Sequence, residues 1–202
     1  MRKLILGMSM SLDGYVASDR QHPGALPEDE ELERWKVDWI SGAGAHLMGR
    51  VTYQEMSSFW PRSSHPYAEP MNSIPKVVFS RTLHDSEAAW PATRVARGDL
   101  AAEIAAIKEE PGPDVIAWGG ATFGAALAAA DLVDEYRLAV QPVALGSGQA
   151  LFGTLPTQRY LHLVQAMPFA CGVVVHIFIP RPGAPAGAPA GTVAGNAEAG
   201  GA

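Results

Sequence analysis

Apolar runs too short to be buried helices recur along this chain, and segments with helical spacing stand between them. Lys3 to Met8, Ala45 to Met48, Lys76 to Phe79 and Val115 to Trp118 read as strands. Between them, Pro27 to Gly42 places Leu32, Trp35, Trp39 and Ile40 on one helical face, Val51 to Ser58 reads as a short helix, and Asp99 to Glu109 aligns Leu100, Ile104 and Ile107. An alanine-rich helix, Ala121 to Ala130, follows the fourth run. Strands separated by helical crossovers predict a mostly parallel sheet with helices on both faces. Three later runs, Val133 to Ala144, Leu161 to Ala166 and Cys171 to Ile179, come without helices between them, so the sheet is expected to end in antiparallel members. The predicted class is α/β in three layers.

Composition narrows the partners. A net charge of −6 argues against nucleic acid or an anionic membrane, and no run approaches the roughly 20 apolar residues of a membrane span. The basic start at Met1-Arg2-Lys3 leads into an apolar run that ends within a few residues, unlike a secretion signal. A cytoplasmic protein with a small-molecule partner is expected. The single cysteine, Cys171, is read as a buried, inert thiol in a strand. Residues 181–202 differ from the rest: of the last 20, sixteen are Gly, Ala or Pro, and a disordered tail is expected after a single domain over residues 1–180.

Ligands of open α/β sheets bind at the carboxyl ends of the strands, which directs attention to four loops. Ser11-Leu-Asp13-Gly14 reads either as a bare turn or as a lid with Asp13 facing a site. Gly49-Arg50-Val-Thr52 opens a helix; an arginine beside a helix's positive end fits a bound anion, although a solvated Arg and a capping Thr would give the same pattern. Ser80-Arg81 closes the third run and could supply a hydrogen bond and a charge. Gly119-Gly120, followed by Ala121 and Thr122, lets backbone amides approach a diphosphate, or serves only tight strand–helix packing. Asp29 and Glu33 border the apolar stripe of the first helix, where partial burial could raise a carboxyl for proton transfer; acids at a helix start are also favoured by the dipole alone. No histidine pair has metal-ligand spacing, so no metal site is expected, and His46 reads as a core residue.

In this order, S11-L-D-G-Y-V-A17, L47-M-G-R-V-T-Y53, V77-V-F-S-R81, I116-A-W-G-G-A121 and L132-V-D-E-Y-R-L-A-V-Q-P-V-A-L-G-S-G-Q-A-L-F152 resemble the dihydrofolate reductase-like superfamily. The nearest likeness is the reductase (C-terminal) domain of the bacterial bifunctional riboflavin-biosynthesis deaminase-reductase and its stand-alone relatives. The resemblance implies a three-layer dihydrofolate reductase-like fold with a central sheet of about eight strands that binds NADPH. It implies diphosphate contacts from Arg50, Thr52, Gly119, Gly120, Ala121 and Thr122, and 2′-phosphate contacts from Ser80 and Arg81. It places Asp13 beside the nicotinamide and substrate, and a first-helix carboxylate, Asp29 or Glu33, near proton transfer. The zinc deaminase motifs of a bifunctional protein are absent from this sequence. The expected activity is hydride transfer from NADPH to a ribosylaminopyrimidine-like or other small heterocycle. Dihydrofolate reduction and a non-catalytic NADPH-binding dimer are the alternatives. A homodimer is expected, and the apolar stretch Val173 to Ile179 is the segment that could pair across a two-fold axis.

Overall fold

A computed structural model describes residues 1–17 and 27–181. The expected tail lies outside the described residues from position 182 onward. Among the described residues, ten strands and five α-helices run in the order β1 (Leu4–Ser11), β2 (Tyr15–Ala17), α1 (Glu30–Ser41), β3 (Ala45–Gly49), α2 (Arg50–Phe59), α3 (Ala68–Ser73), β4 (Lys76–Phe79), β5 (Thr93–Ala96), α4 (Leu100–Glu109), β6 (Val115–Trp118), α5 (Ala121–Ala129), β7 (Glu135–Gln141), β8 (Gln149–Ala150), β9 (Leu161–Pro168) and β10 (Val174–Pro180). Eight of the strands form one sheet in the order β5-β4-β3-β6-β1-β7-β10-β9. All pairs from β5 to β7 are parallel, and β10 lies antiparallel to both β7 and β9. The α/β class, the parallel centre and the antiparallel finish agree with the expectation.

Alternation along the strands explains the two covered faces. Leu47 and Val77 point into one core with Ile104 and Ile107 of α4 and Phe123 and Leu127 of α5. Their neighbours Met48 and Val78 point the other way, into a core with Ile40 of α1 and Tyr53 of α2. Successive strand side chains must leave on opposite faces, so runs buried on both sides are apolar without a break.

Two details correct the sequence reading. β10 is an interior strand, hydrogen-bonded on both edges, so Val173 to Ile179 has no free edge for pairing across a two-fold axis; the outer strands of the sheet are β5 and β9, and Leu163 and Val164 of β9 are solvent-facing. Cys171 is half-buried in the turn before β10, outside any strand. His46 meets its expectation. It is fully buried, accepts from Trp118 Nε1 at 3.0 Å and lies 3.3 Å from the Pro70 carbonyl through Nε2. Burial is the main reason that its pKa falls to about 4.

Candidate active site

Because β1, β3, β4 and β6 run parallel, the loops that leave them gather at one end of the sheet, and a cleft of about 1700 Å³ opens there. That exceeds the roughly 300–1,000 Å³ usual for one small ligand, so the cleft has room for two molecules side by side.

One end of the cleft is built from backbone. Helices α2 and α5 start directly after their strands, at N-caps Gly49 and Gly120 that offer no side-chain cap. The first-turn amides of both helices therefore keep their donors, with the dipoles' positive ends beside them. Both glycines of the Gly119-Gly120 turn are closely packed, Gly120 against a short buried side chain and Gly119 against the mobile tip of a methionine. A Cβ on Gly119 would lie 1.9 Å from Met8 Cε, and one on Gly120 would lie 2.6 Å from Thr52 Oγ1. Arg50, Ser80, Arg81, Gly119, Ala121 and Thr122 line this end, and so does Gly120. Arg50 donates only to the neutral Gln54, at 3.2 Å, and neither Arg50 nor Arg81 has an ion pair among the described residues. Ser80 Oγ accepts from the amides of Thr82 and Leu83, which fixes the turn that carries Arg81. Thr52 is buried behind Gly120 and does not line the cleft.

The other end is built from side chains. Trp35 and Trp39 of α1 stand one turn apart with ring centroids separated by 5.5 Å, and Trp118 continues the row at 5.5 Å from Trp39. Trp39 lies so close to β1 that a Cβ on Gly7 would come 2.3 Å from its ring. Arg137 of β7 covers this row, its guanidinium carbon 5.0 Å from the Trp39 centroid, and its Nε is held by Glu135 at 2.7 Å.

The three expected acids do not line the cleft. Asp29 is the N-cap of α1: one oxygen accepts from the Leu32 amide at 2.9 Å and the other from the Cys171 amide at 2.8 Å. Those bonds, Leu32 first, hold its carboxyl below the usual range, the opposite of the raised value that partial burial would give. Glu33 faces His65, 3.6 Å from Nε2. Asp13 accepts from the Leu145 and Gly146 amides at 3.1 and 2.7 Å; with the Ser11 hydroxyl as the largest cause, its pKa is brought down to about 2. It clasps two loops together.

The carboxylate at the aromatic end is Glu28, which the sequence reading passed over. It takes the Lys36 ammonium at 2.7 Å and the Tyr67 hydroxyl, and all three residues line the cleft. Burial, then the Glu28 hydrogen bond, pushes the Tyr67 hydroxyl well above its ordinary pKa. Glu28, Glu33 and His65 bring three ligand-type atoms within 4.8 Å of one another, but the Lys36 charge already occupies Glu28 and disfavours a cation there.

The RibD C-terminal domain family matches residues 2–175. The chain belongs to that family. Two Bacillus subtilis relatives, both described as uncharacterized, span nearly the same length. YyaP is 27% identical over 184 residues, covering 88% of this chain and 94% of its own, and YwjB is 30% identical over 176 residues, covering 87% and 97%. Among solved structures, one described as a riboflavin biosynthesis protein from Shewanella sp. PV-4 superposes with a TM-score of 0.73 at 22% identity, over 89% of this chain and 99% of that one. A pyrimidine reductase-like protein from Corynebacterium diphtheriae gives 0.66 at 12% identity, over 89% and 92%. At these identities the two structures speak for the shared fold. No helix among the described residues of this RibD C-terminal domain is long and apolar enough to cross a membrane.

The backbone end fits a dinucleotide phosphate by its own chemistry: two uncapped helix starts, a glycine turn and two arginines with no carboxylate partner among the described residues line the same end of the cleft. Arg50 and the amides at Ala121 and Thr122 would hold a diphosphate, and Arg81 a further phosphate.

Proposed function

We propose that this protein is an NADPH-dependent reductase of the cytoplasm that acts on a small heterocycle of the ribosylaminopyrimidine type. One observation carries the reading: two arginines without a carboxylate partner among the described residues and the uncapped amides of two helix starts gather at one end of a cleft whose other end is aromatic, the whole large enough for a second molecule. Membership in the RibD C-terminal domain family and the likeness to a pyrimidine reductase-like fold support it. The nicotinamide would supply the hydride, and the chain's own part is to bind, orient and exclude water. Arg81 would distinguish NADPH from NADH by pairing with the 2′-phosphate. The Trp35, Trp39 and Trp118 rings would shield the reacting ends from water. Glu28, bonded to Tyr67 and Lys36, takes over the acid role that Asp29 or Glu33 was expected to play; the Tyr67 hydroxyl and the Lys36 ammonium are its proton-bearing neighbours. Dihydrofolate reduction stays the alternative reading of the same site. We include a homodimer in the proposal, with β9 as the edge open to a second copy.

Calorimetric titration with NADPH and NADH tests the reading. Micromolar NADPH binding is expected, with NADH far weaker. Arg81→Ala should weaken NADPH by about 10- to 100-fold, the equivalent of about 1.4–2.8 kcal/mol, and leave NADH unchanged. Absence of binding by either cofactor would sink the proposal. Binding without NADPH oxidation across a panel of pyrimidine and pteridine substrates would favour the non-catalytic alternative.

A further inference from the structure

β7 brings a second recognition element into the cleft. Side chains two apart on a strand share a face, so Arg137, Ala139 and Gln141 point the same way, and all three line the cleft. Arg137 and Gln141 are separated by roughly 13 Å along the strand, with only the Ala139 methyl between them. Val175 of β10 is paired with Ala139 and extends this apolar floor. Trp35 and Trp39 stand over it from α1. The result is a slot-like stretch of the cleft wall whose base is buried apolar core, with the Arg137 guanidinium against the Trp39 ring at one end and Gln141 at the other.

Both polar ends have unused bonding capacity. Gln141 is only 3% exposed, yet its carboxamide oxygen has no hydrogen-bond partner among the described residues. A buried acceptor left in that state costs about 1–3 kcal/mol, and native structures rarely keep one without a use. The indole N–H of Trp39, buried in the same wall, is also unpartnered. Arg137 commits its Nε to Glu135, and its terminal nitrogens have no acceptor among the described residues. Arg137 stacks on Trp39 and Trp35 inside the fold, but among the described residues neither its outer nitrogens nor Gln141 Oε1 has a hydrogen-bond partner, and both residues line the cleft.

We propose that Arg137 and Gln141 are the specificity-determining residues of the second ligand's site, gripping opposite ends of a flat nitrogen heterocycle: Arg137 donates to a ring carbonyl and Gln141 Oε1 accepts a ring N–H. This rests on reading the cleft as a reductase site, because only then is the aromatic end the place of the reducible substrate. A single aliphatic carbonyl compound would leave Gln141 unsatisfied, and a fully N-alkylated ring would do the same. Discrimination against a missing hydrogen-bond donor is strong when the protein's own group is buried, since that group is then stranded.

The test uses the full chain without cofactor and measures binding of quinazolinedione and of its N,N′-dimethyl derivative by calorimetry. The two share carbonyls and ring area, and only the first carries N–H groups. The wild type should favour the N–H compound by about tenfold, the scale of one buried hydrogen bond. Gln141→Leu should bring that ratio close to one by weakening only the N–H compound, and Gln141→Met should repeat the result should the leucine variant misfold. Arg137→Lys should weaken both compounds together and keep the ratio. Equal binding of the two compounds by the wild type, a preserved ratio in Gln141→Leu or Gln141→Met, or no binding of either compound would overturn the assignment. NADPH titration of the same samples separates the two claims. Loss of dione selectivity with intact NADPH binding removes this inference alone, and selective dione binding without NADPH binding removes the reductase reading while the slot stands.

Discussion

The two ends of the cleft do the same kind of work with different material. At the Gly49 and Gly119-Gly120 end, main-chain amides at two helix starts face the cleft beside the Arg50 and Arg81 charges, and the side chains beneath, Met8, Thr52 and Phe123, only shape the turn. At the Trp39 end the main chain is spent on sheet and helix bonds, and recognition falls to rings and polar tips. Amide-built sites read charge and shape and ask of the sequence mainly room. Side-chain sites read hydrogen-bond pattern and can change specificity one residue at a time. The first end therefore suits a constant ligand and the second a variable one.

Substitutions can break this contrast. Trp39→Ala has the largest expected effect: it removes a ring wedged between Gly7, Trp35 and Trp118, costs about 3 kcal/mol of stability in urea titration and abolishes dione binding. NADPH affinity should move less than threefold; a joint loss of both ligands would erase the distinction between the ends. Acidification should act next. His46, bonded to Trp118, has a folded pKa of about 4 against an ordinary 6.5, so the unfolded chain binds its proton first. Stability should fall by up to about 3 kcal/mol as pH drops from 6.5 to 4 and then level off for this group. His46→Asn should flatten that slope in urea midpoints taken across the window. Asp13 and Asp29 are also displaced downward, from the usual carboxylate value of 3.8, so their contributions are lost in the same sense but at still lower pH.

Gly120→Ala should follow, costing about 1–3 kcal/mol because its methyl would press on the buried Thr52 hydroxyl. It should weaken NADPH and spare the dione, the mirror image of Trp39→Ala. Asp29→Ala is the smallest. Loss of the cap should cost about 1 kcal/mol, read as a lower urea midpoint, and leave kcat unchanged. A large fall in kcat without a change in KM would return Asp29 to the chemistry.

Legibility in the sequence followed the same division. β4 and β6 have the expected bounds because β6 is apolar throughout, β4 is apolar after Lys76, and they stop at Gly119 and Ser80, and the turn glycines are themselves local signals. β5 carries Arg94 in a half-exposed edge strand with no apolar run, and α3 holds Pro70 mid-way, so neither announced itself. The acids went astray by one turn. Asp29 before Glu30, Glu31 and Glu33 is an N-cap followed by an acidic first turn, and that reading would have removed it from the proton-transfer candidates and turned attention to Glu28. The slot offered no comparable signal. Gln141 and Arg137 look like ordinary alternating strand residues, and their roles arise only when α1, about 100 residues earlier, is laid across β7.

The position of β1 bears on how the protein is made. β1, which is synthesised before the other described strands, is placed in the middle of the sheet, and its two neighbours, β6 and β7, begin at Val115 and Glu135. At roughly 5–20 residues per second, synthesis leaves Leu4–Ser11 without either lateral partner for about 5 s or longer. During that interval the segment is an unpaired, mostly apolar strand on a nascent chain, open to chaperones and to neighbouring polypeptides alike. Slower codons placed after Gln141 would not relieve this exposure, whereas faster translation of the preceding stretch would shorten it.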